Sequence, residues 1–143
     1  MADLRKLQEQ RDRILSIISI KGPVLPVQVA RNIGVLPLFA SAFLAELFSQ
    51  KRLKMSNLKV GSSPLYFLPG QEEKLEDFVE HLNTRERDAF YFLKENQVLE
   101  DSELESVFRV ALRAIKDFAV PIRVRVNGEV KTFWKYFGGC HLS

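Results

Sequence analysis

Six cations in the last third of the chain are spaced so that they could do chemistry together. Arg109, Arg113 and Lys116 recur at helical intervals, so on a helix they align as a basic stripe opposite Val107, Ala111, Ala114, Ile115 and Phe118. Arg123, Arg125 and Lys131 follow in a segment where Ile122, Val124 and Val126 alternate with charge, the two-residue period of a half-buried strand. Guanidinium and ammonium groups in such rows neutralise phosphates without reading the attached bases. Asp101, Glu103 and Glu105 crowd the start of the helix and repel an anion there, so a phosphate must approach through the later turns.

A second basic set, Lys51, Arg52, Lys54 and Lys59, surrounds Ser56 and Asn57. Its functional reading is again phosphate contact; the plainer one is that lysines on an edge strand discourage aggregation. Acid–base and metal chemistry find less. His81 lies among carboxylates, and Cys140-His141 offers two adjacent ligands where zinc takes about four. Gly-rich phosphate loops, nucleophile elbows and metal-spaced acids do not occur in the sequence. The expectation is a protein without catalytic residues, metal or cofactor.

Composition narrows the classes further. The chain has 143 residues, 46% of them hydrophobic, and no apolar run near the roughly 18 residues of a membrane span. One Cys leaves no internal disulfide framework and fits a reducing compartment. The charged start MADLRKLQEQRDR reads as a helix and not as a signal peptide, which predicts a cytoplasmic protein, nucleoid- or ribosome-associated, with no membrane partner. The net charge of +3 conceals a pattern: residues 1–70 carry ten Lys/Arg and four Asp/Glu, 71–105 four and twelve, and 106–143 seven and two. Either two anion-facing surfaces flank an acidic strut, or an acidic solvated helix separates two ordinary domains.

The elements that must position these residues can be read in order. Residues 3–20 show Leu4, Leu7, Ile14, Leu15 and Ile18 at helical spacing, with Gly22-Pro23 as the stop. Pro26 opens a short second helix that Gly34 closes, and Pro37 opens a third with Ala40, Leu44 and Leu47 inward. That third helix shows Leu38, Phe39, Ala42 and Ala45 outward, with Ser41 and Glu46, and lacks the Arg, Lys, Asn or Gln that would read bases before Gln50. RLKMSNLKV and LYFLP form a hairpin around GSSP. Residues 71–82 place Leu75, Phe78, Val79 and Leu82 on one stripe of a connecting helix, and Asn83 with Glu86 predicts a capping box for a helix to about Gln97 carrying Ala89, Phe90, Phe92 and Leu93. The basic helix is expected to run to Pro121. Asn127-Gly128 marks a hairpin turn, but a two-residue loop sets Val126 against Glu129 and Val124 against Lys131. A three-residue loop or bulge pairing Val126 with Val130, Arg125 with Lys131 and Ile122 with Trp134 is therefore expected.

The order helix, helix, turn, helix, hairpin over residues 8–68 resembles a winged-helix domain of archaeal and bacterial regulators, and 84–137 resembles a more divergent copy. LPVQVARNIG, KVGSSPLYFLPGQEEKL and VALRAIKDFAVP are similar to stretches of uncharacterised archaeal proteins with tandem winged helices. The resemblance implies an α+β fold, mostly α: a winged-helix module over 1–70, a connecting helix over 71–83, a second module over 84–137 and a flexible tail over 138–143. The second copy has no Gly or Pro in 100–118, so its second helix is very short or fused to the third. The expected function is non-enzymatic nucleic-acid binding, DNA before RNA, through the basic helix and both wings with weak sequence preference. The alternative is an adaptor in a replication, transcription or ribosome-associated complex, docking a protein partner or a second copy on Leu38, Phe39, Ala42 and Ala45.

Overall fold

Residues 4–137 are described by a computed structural model, which is α+β and divides into two units, Met1–Leu75 and Glu76–Ser143. The expected tail, with Cys140 and His141, lies outside the described residues. In the first unit α1 (Leu4–Lys21), α2 (Pro26–Ile33) and α3 (Pro37–Ser49) precede a hairpin of β1 (Lys54–Val60) and β2 (Ser63–Phe67). Pro26 and Pro37 each start a helix, where a missing backbone N–H costs nothing. Gly34 closes α2 at φ 74°, returning its N–H to the Ala30 carbonyl at 2.9 Å. Ile14 and Ile18 of α1, Val29 and Ile33 of α2, and Ala40, Leu44 and Leu47 of α3 bury together in one core.

Val24, between α1 and α2, exchanges both backbone hydrogen bonds with Tyr66 of β2, at 2.9 and 2.8 Å, and so adds an extended third member beside the hairpin. The register of β1 against β2 shifts between Met55 and Lys59. Ser56 fills that irregularity: its buried hydroxyl donates to the Leu58 carbonyl at 2.6 Å and accepts from the Leu65 N–H at 2.9 Å. Buried Gln71 donates to the Ile18 carbonyl and accepts from the Leu68 N–H, tying the end of the unit to α1.

The expected connecting helix is a 3-10 helix over Glu72–His81, and the division between the units falls within it. In the second unit α4 (Thr84–Asn96) starts on the predicted capping box, with the Asn83 side chain accepting from the Glu86 N–H at 2.8 Å. There follow β3 (Val98–Glu100), a single 3-10 turn over Asp101–Glu103, α5 (Ser106–Ala114), β4 (Ala119–Val126) and β5 (Glu129–Tyr136). Where a very short or fused second helix is expected, the unit has that single turn. The sheet order is β3-β5-β4, antiparallel throughout. Phe90 of α4 meets Phe118 edge-on at 4.9 Å and Tyr136 at 6.1 Å, and Leu93, Leu112, Ile115 and Trp134 of the same unit are also buried.

Three local expectations are corrected here. The helix ends at Ala114, well before Pro121: the Phe118 and Ala119 N–H groups both return to the Ile115 carbonyl, at 3.0 Å each, in a turn that buries Ile115 and sets Phe118 edge-on to Phe90 of α4. Pro121 instead lies inside β4, an edge strand, and counting from the two-residue loop it occupies a non-hydrogen-bonded position that needs no ladder donor. Val107 and Ala114 are exposed, and Leu112 is buried in their place.

The hairpin also takes the register that the sequence argued against. Val126 pairs with Glu129, Arg125 with Val130, Val124 with Lys131, Ile122 with Phe133 and Pro121 with Trp134. Asn127 at φ 51° and Gly128 at φ 84° make the primed turn, whose twist suits the strands. The mixed pairs are tolerated because every residue from Val120 to Val130 is exposed, so this part of the hairpin has no dry face that they could spoil.

Candidate nucleic-acid interface

Strand alternation sorts the predicted cations. Ala119, Pro121, Arg123 and Arg125 of β4 share a face with Trp134 of β5, whereas Ile122, Val124 and Val126 share the opposite face with Lys131. Trp134 and Ala119 are buried, so theirs is the core-facing side at the base of the hairpin. Arg113, at the end of α5, and Lys116, on the turn after it, line a depression of about 440 Å³ together with Ala119, Val120, Pro121 and Trp134. Arg113, Lys116, Arg123 and Arg125 therefore gather on one side of the second unit, and all four are exposed.

Arg109 and Lys131 are placed differently. Arg109 donates through Nη2 to Asp101 Oδ2 at 2.8 Å, and its Nε is buried with no partner among the described residues. Asp101 also accepts from Trp134 Nε1 at 2.9 Å, so one carboxylate joins the 3-10 turn, α5 and β5. The Trp134 hydrogen bond, followed by those from Arg109 and the charge of Arg113, holds the Asp101 carboxyl below its ordinary range. Arg109 thus fastens the fold and is not a free member of the stripe. Lys131, on the other face, lies 3.7 Å from Glu100.

In the first unit Lys51, Arg52, Lys54 and Lys59 are exposed, and Lys54 is paired with Glu72 at 2.6 Å. Leu38, Phe39, Ala42 and Ala45 all face solvent, with Leu38 75% and Phe39 54% exposed, while Glu46 on the flank of α3 receives a two-point hydrogen bond from Arg11 of α1, at 2.8 and 3.0 Å. That bond depresses the Glu46 carboxyl and fixes α1 against α3.

Sequence reasoning missed Asp101 and Trp134. In the sequence Asp101 reads only as a repulsive acid, because its partners stand 8 and 33 residues away and no local spacing reveals them. Among the described residues no group of three or more His, Cys, Asp or Glu is placed to hold a metal ion, and no single helix is long and apolar enough to cross a membrane. No protein-family model matches the chain, and no curated protein does.

Proposed function

We propose that this chain is a non-enzymatic nucleic-acid-binding protein of two winged-helix modules, which engages DNA in preference to RNA through phosphates. Each unit supports the fold reading with the same order: a helix, an extended segment paired to the last strand, a short helix or turn, a third helix and a hairpin. The observation that carries the functional reading is the gathering of Arg113, Lys116, Arg123 and Arg125 on the side of the hairpin that faces α5. Third helix and wing then present one basic surface. Base readers remain scarce, so affinity is expected to rest on counterion release and to vary little with sequence.

Salt titration tests this. Four phosphate contacts give a log–log slope near −3.6 on duplex DNA, and Arg123→Gln with Arg125→Gln should flatten it by about 2 while leaving the melting temperature unchanged. Binding whose slope ignores both substitutions would refute the assignment. A second reading, docking of a protein partner or a second copy, is favoured by the exposed apolar face of α3 and applies to the first unit alone.

A further inference from the structure

The depression below Arg113 and Lys116 has features that phosphate contact does not require. Its lining joins four apolar residues, Ala119, Val120, Pro121 and Trp134, to two cations, Arg113 and Lys116. Its volume of about 440 Å³ lies within the roughly 300–1,000 Å³ of small-molecule sites, large enough for a nucleobase. Pro121 is exposed on the edge strand, so a flat group can reach it from solvent. From Pro121 of this lining, Arg123 and Arg125 continue along the same strand face at two-residue steps, a track for a backbone leading away from the depression. Of the nearby acids, Asp101 is held by Trp134 and Arg109, and Asp117 is half-buried.

We infer that this depression seats one unpaired base of a single-stranded nucleic acid, with Arg113 and Lys116 holding the phosphates that flank it. The inference rests on the phosphate-binding reading and narrows its substrate class. An unpaired base has an apolar π-face that exposed Pro121 can cover whatever the sequence, while Arg113 and Lys116 are the cations beside it for the adjoining phosphates. In a duplex the bases are already stacked on one another, so a paired strand offers only its phosphates to the same surface.

Trp134 is the single tryptophan of the chain and lines the site, so its emission reports on it directly. The full-length chain is titrated with three dye-labelled DNAs of equal length: an unpaired strand, its duplex, and an abasic strand of sugar-phosphate alone. Anisotropy reads binding and tryptophan emission reads occupancy. The expected result is that the unpaired strand binds at least about tenfold more tightly than the abasic one and alone changes Trp134 emission. Equal affinity for unpaired and abasic strands, or preference for duplex, overturns the base site while leaving the phosphate reading standing. Failure of all three to bind overturns both.

Discussion

Asp101 sets the terms at the scale of single residues. Two side chains from different elements converge on it, and removing it leaves the Trp134 N–H and the Arg109 guanidinium without their acceptor. Asp101→Ala should therefore cost roughly 1–3 kcal/mol, read by chemical denaturation. Its carboxyl titrates lower in the folded chain than in the unfolded one, so the stabilisation is complete above about pH 4 and is lost as pH falls through the folded value. The gap in stability between the native chain and Asp101→Asn, which cannot ionise, should narrow below that pH. A gap constant from pH 2 to 6 would show that ionisation at Asp101 does not matter. By the same geometry Arg109→Glu sets two carboxylates against each other and should lower the melting temperature, whereas Arg123→Glu on the exposed hairpin should leave it within the small shift of a surface change of about ±0.5 kcal/mol. Local chemistry was legible at this scale, as at Asn83 and Glu86, three residues apart. Distant chemistry was not: the spacing that made Arg109 look like part of a surface stripe carries no trace of a carboxylate folded against it.

Elements show a similar division. Proline and glycine announced α2 and α3 because their constraints act on their own backbone, and both helices start at the prolines. Pro121 suggests an end for α5 that the structure sets earlier, where the chain turns to bury Ile115 and to pack Phe118 on Phe90 of α4. The pattern of the hairpin argues for a register with one dry face, but turn chemistry at Asn127-Gly128 decides it where both faces are wet. For α3 the expected core positions Ala40, Leu44 and Leu47 are buried and Leu38, Phe39, Ala42 and Ala45 exposed, although Ser41 and Glu46 are half-buried, and the two faces can be probed separately. Leu44→Ala should destabilise the first unit by about 2–5 kcal/mol, the usual cost of emptying a core site. Phe39→Asp should fold normally, and its effect on self-association, followed by sedimentation velocity or partner capture, tests the docking reading. Unfolding of the Phe39→Asp chain would place that face in the core and remove the docking reading's support.

Over the whole molecule, two units each bury their own core and each carry exposed cations, so the question is whether one nucleic acid engages both. Lys54 is occupied by Glu72, which leaves Lys51, Arg52 and Lys59 as the first unit's exposed wing cations to set beside the four proposed for the second. If both units hold the same duplex, seven contacts give a salt slope near −6; if only the second unit binds, four give about −3.6. Linking two weak sites also raises affinity, by up to about 10²- to 10⁴-fold where the geometry permits simultaneous binding. Substituting Lys51, Arg52 and Lys59 by Gln in the full chain separates the cases without cutting it. Joint engagement predicts that the slope falls by nearly 3 and the affinity drops with it, while melting stays unchanged because all three side chains are exposed. An unaltered slope would assign binding to the second unit alone and free the first, with its apolar α3, for a protein partner.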